Sequence, residues 1–445
     1  MRIPTATSTL SEWLNYLEQA HFKPIDMGLE RVKSVAKQLD LQSPAPYVIT
    51  VAGTNGKGTT CHLLETTLRL AGFNVGVFSS PHLIRYNERI RINQQEVDDQ
   101  MICQAFDLIN QQKSVSLTYF EFSTLSALYL FKQAKLDIVI LEVGLGGRLD
   151  ATNLVDPNFA VITSIDIDHI AFLGNDREKI GAEKAGICRP NIPLVVGEPH
   201  CPLSIKKIAQ QLNCQALFSG IDFNYALEAD EAHWQWQGTL YTDKNSAVLL
   251  NQLPIGSIPL QNAATALAVL KNLPFSIPDQ IIQSALANAK LTGRFQRLSQ
   301  TEIANLASRL GITKSVVDLP QIILDVGHNP HAARYLAQRL ATTPRARLIA
   351  ICGILEDKDC AGVFTPLFQE VDQWYLIPLA GERGQSAKVL LEKLHYTANQ
   401  QQCVISAQAK STMKAAVTAG LYDLSAQDIL LIFGSFHTVS DFMQL

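Results

Sequence analysis

The chain has 445 residues, of which 47% are hydrophobic and 18% charged, and a formal net charge of -4. Its length exceeds what one hydrophobic core normally serves, so two domains are expected, and the weak charge gives no global field for gathering nucleic acid or an anionic membrane. With no apolar leader at the start and no later run near the ~18 apolar residues of a spanning helix, the sequence reads as cytoplasmic with neither membrane nor nucleic acid as partner.

The first strong apolar stretch is "YVITVA" (47–52), followed by a glycine-rich loop and a helical pattern over 57–71 that Gly72 closes. Further buried strands are expected at "VGVFSS" (75–80), "DIVILEV" (137–143), "FAVITSI" (159–165) and "IPLVVGE" (192–198), with a long apolar helix over 119–134. A more polar region, about 214–250, reads as smaller antiparallel strands. Helical patterns then lead to "LTGRFQRL", and a fresh series of strands and helices begins with "QIILDVGHNPHAARYLAQRL", "RLIAICGI", "QWYLIPLA" and "DILLIFGSFHTV". Such alternation predicts an α/β architecture with parallel sheets, and the restart places a boundary near Leu291 to Arg294, giving domains 1–292 and 293–445. The eight cysteines form no C-x-x-C pair and no cluster at zinc spacing, so they read as reduced and structural.

The stretch "VAGTNGKGTT" (51–60) departs from the standard phosphate-loop spelling at two positions, Val51 for the first glycine and Gly58 for the hydroxyl residue. The mechanics survive. A strand ends, Gly53, Gly56 and Gly58 let backbone N–H groups turn inward, and a helix begins with its positive end on the loop. Lys57 can then reach phosphate oxygens, and Thr59 or Thr60 supplies a hydroxyl.

In open parallel sheets, ligands gather outside the carboxyl ends of the strands, where this sequence repeatedly puts reactive side chains. Ser79 and Ser80 end one strand, Glu142 ends another, and Asp166, Asp168 and His169 follow a third. Magnesium on ATP phosphates takes hard oxygen ligands, which suits Ser80 and Glu142. Imidazole is softer, so His169 reads equally as a capping or substrate-positioning residue. Lys184, by its residues alone, reads as a solvated lysine on a helix.

Taken in order, "GTNGKGTT", "SSPHL", "LTYFE", "LEVGLGGRLDATN", "DHIAFLG", "EKAGI", "GRFQ" and "DVGHNPHA" resemble the folylpolyglutamate synthase and dihydrofolate synthase family of the Mur-ligase group. The resemblance implies an N-terminal P-loop ATPase domain with a parallel sheet and small antiparallel subdomain, and a Rossmann-like C-terminal domain. It also implies a monomer that joins L-glutamate to dihydropteroate or to reduced folates. On it, Gly53, Thr54, Asn55, Gly56, Lys57, Gly58, Thr59, Thr60, Asn262, Arg294 and Asp325 contact ATP. Ser80, Glu142 and His169 become magnesium ligands, and Lys184 matches a carbamylated lysine that supports a second magnesium; a monovalent cation is a further implied cofactor. His328 matches a residue associated with the incoming glutamate, with Ser435 assisting. Thr118, Tyr119, Phe120 and Glu121, together with Leu149, Asp150 and Ala151, match the pteroate pocket, although Tyr119 and Phe120 read equally as core. The segment 301–320 sits where a shorter link is expected.

The chemistry so implied is ATP-driven activation of a carboxylate as an acyl phosphate, shielded from water and displaced by the glutamate amine, with Lys57, Lys184 and His328 as the candidate catalytic residues. The alternatives are a folylpolyglutamate synthase without the dihydropteroate activity, another Mur-type amide ligase, and, from a different class, a P-loop kinase or NTPase.

Overall fold

The computed structural model describes residues 3–23, 25–230 and 232–445, with 244–246 described by their backbone alone. The chain divides into two compact units, Met1–Lys290 and Leu291–Leu445.

The first unit is built on β1 (Tyr47–Ala52), β2 (Val75–Phe78), β3 (Ile90–Ile92), β4 (Gln95–Glu96), β5 (Ile138–Glu142), β6 (Phe159–Ile162), β7 (Pro193–Val196) and β8 (Gln215–Phe218). They form one sheet in the order β4-β3-β2-β5-β1-β6-β7-β8. All neighbours are parallel except the β2–β3 and β3–β4 pairs. The apolar runs fill β1 and β5 with residues covered on both faces, as expected of a parallel sheet flanked by helices. The helix Lys57–Leu70 packs on one face with Leu63, Leu64 and Leu68 buried among Ile49, Val51 and Ile140. On the other face, the helix Tyr119–Ala134 buries Phe122, Leu125 and Leu128 against Val48, Val139 and Leu141. That helix starts at Thr118, whose hydroxyl accepts from Glu121 N while the Glu121 carboxylate accepts from Thr118 N, a reciprocal cap.

A small antiparallel sheet of β9 (Phe223–Leu227), β10 (His233–Leu240) and β11 (Asp243–Pro254) buries Trp234 and Trp236. Here the sequence expectation needs correction. Residues 215–218 do not join the antiparallel set but pair in parallel with β7 as the edge of the main sheet. The strand is too short to display a period of its own, and polar neighbours hide it.

The second unit holds β12 (Gln296–Arg297), β13 (Gln321–Asp325), β14 (Leu348–Cys352), β15 (Gln373–Leu376), β16 (Ala407–Ala409) and β17 (Ile429–Phe433) in the order β12-β13-β17-β14-β15-β16. Only β12 is antiparallel to its neighbour. The segment 301–320 contains most of a helix, Gln300–Arg309, and a turn of 3-10 helix at Val316–Asp318. Among the described residues, no helix is long and apolar enough to cross a membrane.

Candidate active site

β1 ends at Ala52, and the loop that follows doubles back over the end of β6. Gly53 has φ +153°, and a Cβ there would lie 1.9 Å from Thr163 Oγ1. Gly56, at the helix N-cap, has φ +83°, and a Cβ there would meet Asn262 Oδ1 at 2.4 Å. Both glycines are therefore required by close approach, and Gly56 also by its left-handed backbone. Asn262 donates from Nδ2 to Thr59 Oγ1 at 2.7 Å, while Thr59 Oγ1 donates to Gly56 O at 2.9 Å. Thr60 is fully buried, and its hydroxyl oxygen has no hydrogen-bond partner among the described residues. Thr54 N donates to Ser164 O at 2.8 Å, and Asn55 N to Ser164 Oγ at 3.0 Å. Lys57 Nζ folds back to donate to Gly53 O at 3.0 Å and Thr54 O at 3.2 Å.

β5 lies beside β1 with Glu142 paired to Val51, so the carboxylate emerges next to the loop. Glu142 is buried, and its Oε2 accepts from Ser80 N at 3.2 Å. A Cβ on Gly58 would stand 3.7 and 3.8 Å from its two oxygens, so the glycine keeps the helix start open beside the carboxylate. A carboxylate and a serine held together at the mouth of a phosphate loop are hard oxygen donors of the kind magnesium takes when phosphates and water complete its shell. The residues thus fit a divalent cation. Among the described residues no three of His, Cys, Asp or Glu gather into an all-protein cage. His169 follows β6 at the same carboxyl edge, exposed, with φ +52° at the start of the short helix Ile170–Leu173. Its N–H donates to Asp168 Oδ1 at 2.7 Å.

Lys184 is the largest departure from what its residues suggest. It is 4% exposed, and its Nζ donates to Gly53 O at 2.9 Å, the same carbonyl that Lys57 uses. Burial, reinforced by the Lys57 charge, pulls its amine down to about 7 despite opposing fields from Asp168 and Asp150. An amine so poised is in large part unprotonated near neutrality.

The expected acid-substrate segments share one side of the sheet. Tyr119 stands edge-on to Tyr86 at 6.0 Å, and the Arg89 guanidinium lies 5.6 Å from the Tyr119 ring centre. Phe120 packs on Phe78 at 5.6 Å. Thr118 and Glu121 serve the helix cap, and Glu121 Oε1 also accepts from Arg31 Nη2 at 3.0 Å. Leu149 is partly exposed and Ala151 buried. Asp150 spends its buried carboxylate on its own loop, accepting from Gly144 N, Leu145 N, Thr152 N and Thr152 Oγ1 at 3.0, 2.9, 3.0 and 2.7 Å.

In the second unit, Arg294 stands just before β12, Asp325 ends β13, and His328 and Ser435 lie in the turns that follow β13 and β17. Asp325, raised by burial against the opposing charge of Arg294, accepts from Phe295 N at 2.9 Å and Gly327 N at 2.7 Å. The Arg294 guanidinium lies 5.2 Å from the Phe436 ring centre, and the His328 ring is 6.1 Å from that same ring. His328 Nδ1 is 2.9 Å from Val326 O, which fixes its proton there as a donor. Ser435 caps the last helix, accepting from Thr438 N at 2.9 Å.

Two residues not singled out in the sequence shape the phosphate loop. Thr163 and Ser164 donate from their hydroxyls to Asn55 O at 2.6 and 3.0 Å. Their only signal is a pair of hydroxyl residues at the end of an apolar strand, which is common.

Two family models match the chain: the Mur ligase middle domain over residues 51–270, and the Mur ligase glutamate ligase domain over 308–436. These define the class as a Mur-type ligase. A dihydrofolate synthase/folylpolyglutamate synthase of Haemophilus influenzae is 52% identical over 442 residues, covering 98% of this chain and 97% of the relative. A solved structure of E. coli FolC in complex with DHPP and ADP superposes with a TM-score of 0.89 at 45% identity, covering 99% of this chain and 98% of that one. A bifunctional folylpolyglutamate synthase/dihydrofolate synthase with Mn, AMPPNP and L-glutamate bound has a TM-score of 0.87 at 47% identity, covering 100% and 99%. The chain belongs to the dihydrofolate synthase/folylpolyglutamate synthase family.

Proposed function

We propose that this chain is an ATP-dependent ligase that joins L-glutamate to dihydropteroate, giving dihydrofolate, and to reduced folates, lengthening their glutamate tail. The observation that carries the reading is the meeting of a phosphate loop, a buried carboxylate and a buried lysine of lowered basicity at adjoining strand ends, in a chain 52% identical to such an enzyme over nearly its whole length.

A carboxylate does not condense with an amine at neutral pH, because it is a poor electrophile with a poor leaving group. Phosphorylation cures both faults. A carboxylate oxygen of the acid attacks the γ-phosphorus of ATP, ADP departs, and an acyl phosphate forms. The neutral amine of glutamate then attacks the acyl carbon and inorganic phosphate leaves.

The loop N–H groups of Gly53 to Thr60 bind the polyphosphate, and Lys57 turns its ammonium from the loop carbonyls to the transferring group. Ser80, Glu142 and His169 hold a magnesium ion, which supplies charge neutralisation at the phosphate oxygens when bound. Lys184, were it carbamylated, would hold a second magnesium ion and supply negative charge to it, and a monovalent cation would complete the cofactors. Asn262, Arg294 and Asp325 serve ATP, while His328 and Ser435 serve glutamate. Tyr119, Phe120 and the 149–151 loop flank the acid, with Thr118, Glu121 and Asp150 shaping that pocket. The reading makes the protein a cytoplasmic monomer with domains 1–292 and 293–445.

The test supplies ATP, magnesium and L-glutamate with dihydropteroate or tetrahydrofolate in turn, and resolves products by mass. One added glutamyl residue on each acid is expected, with ADP and phosphate released only when acid and amine are both present. A stable phosphorylated acceptor, or no glutamyl product, would overturn the reading.

A further inference from the structure

One buried ion pair in the first unit lies outside the site as described. Glu65 stands on the helix that begins at Lys57, with its side chain wholly covered. Arg91 stands in β3, opposite Val77 of β2. Its Nε and Nη2 donate to Glu65 Oε2 at 3.1 and 2.9 Å. Its Nη1 donates to Ser79 Oγ and to Glu88 O, each at 3.0 Å. Ser79 is held from its backbone too, donating from N to Arg89 O at 2.9 Å. The next residue is Ser80, whose N–H meets Glu142. A single guanidinium therefore ties the phosphate-loop helix to the turn that carries Ser80.

Stability alone does not account for this pair. Buried ion pairs usually do no better than well-packed apolar residues of similar volume. What the guanidinium adds is geometry, a rigid planar fork with five donors at fixed angles. Burial is the largest single influence and works against its charge, but the field of Glu65 and the hydrogen bonds to that carboxylate, with smaller help from Cys61 and Glu142, together outweigh it and hold the guanidinium above its ordinary value.

We propose that Arg91 is a positioning residue, which grips Glu65 on one side and the Ser79 hydroxyl on the other and so sets the Ser80 turn against Glu142. It thereby fixes two of the oxygen donors offered to the divalent cation. This rests on the metal assignment of Ser80 and Glu142 made above.

The test measures Mn2+ binding to the complex of the full-length protein with AMPPNP, from the electron paramagnetic resonance signal of free Mn2+. The double variant Glu65→Leu/Arg91→Met removes both charges, so neither is left buried alone. It is expected to melt within a few degrees of the parent and to bind AMPPNP normally without metal, while its Mn2+ affinity falls about 10-fold, the scale of losses when supports of metal ligands are removed. Ser79→Ala severs only the link to the turn, leaves the ion pair intact, and is expected to weaken Mn2+ in the same direction; it decides the matter if the double variant fails to fold. Arg91→Lys, a point charge without the fork, is expected not to restore the affinity. Wild-type Mn2+ affinity in either folded variant overturns the proposal. Glu142→Ala separates the two layers of inference: if it too leaves Mn2+ binding unchanged, the metal assignment itself falls.

Discussion

The amine of Lys184 offers the most quantitative test. An ordinary lysine at 10.5 has only about 0.03% of its amine unprotonated at pH 7, whereas one lowered to about 7 has about half, a gain of ~1,600-fold in the form that reacts with carbon dioxide. The sign follows from the chemistry, because only the neutral amine attacks. At a fixed concentration of dissolved carbon dioxide, carbamate on Lys184 should rise as pH climbs through about 7, rather than above 10. Carbon-13 NMR of the protein equilibrated with one fixed partial pressure of labelled carbon dioxide, between pH 6 and 9, reads the carbamate carbon directly, with Lys184→Arg as the blank. Lys57→Met removes the second cause of the lowered value, so the midpoint should move upward in that variant. In parallel, Lys184→Ala should lose most ligation and regain part of it with added short carboxylates. A resonance that persists in Lys184→Arg, or no carbamate at any pH, would refute the reasoning.

Lys57→Ala should lower ligation by ~100- to 1,000-fold, the usual scale for removing one transition-state electrostatic contact, with an unchanged melting curve; near-normal incorporation of radiolabelled glutamate would contradict the phosphate-loop assignment. Gly56→Ala carries ~1–2 kcal/mol of left-handed strain, before its contact with Asn262 is counted, and should weaken ATP binding at least ~10-fold by calorimetry. Unaltered ATP affinity there would show that the loop adapts freely. Asp150→Asn puts an amide where four donors converge and should cost ~2 kcal/mol in urea unfolding, so a variant as stable as the parent would remove Asp150 from its role in the 144–152 loop.

Much of the frame was legible in the sequence because its signals are local. "YVITVA" forms a strand over the whole of 47–52, and the helix expected over 119–134 runs from Tyr119 to Ala134, since Thr118 and Glu121 form a reciprocal cap. Strand ends were less legible. The stretches 75–80 and 159–165 read as strand throughout, but the ladders stop at Phe78 and Ile162. The residues beyond them leave the sheet to work: Ser79 accepts from Arg91, Ser80 donates from its N–H to Glu142, and Thr163 and Ser164 grip the phosphate loop. Hydrophobicity cannot register that change, because it depends on what stands opposite in space.

Lys184 illustrates the same limit from the other side. On a helix with polar neighbours its residue type suggests solvent, and the resemblance alone singled it out. It is buried with its amine on the carbonyl of Gly53, 131 positions away in sequence, and no local pattern encodes that. The Arg91–Glu65 pair was missed for a like reason, since an arginine in a short strand and a glutamate on a helix are each unremarkable until the fold brings them together.

The central claim is that ATP is spent on making a carboxylate reactive. Dihydropteroate labelled with oxygen-18 in its carboxylate, turned over with ATP and L-glutamate, tests this most directly by mass analysis of the released inorganic phosphate. The account predicts one labelled oxygen in phosphate for each amide bond formed, because the oxygen that attacked phosphorus leaves with it. Unlabelled phosphate alongside full amide formation would contradict it.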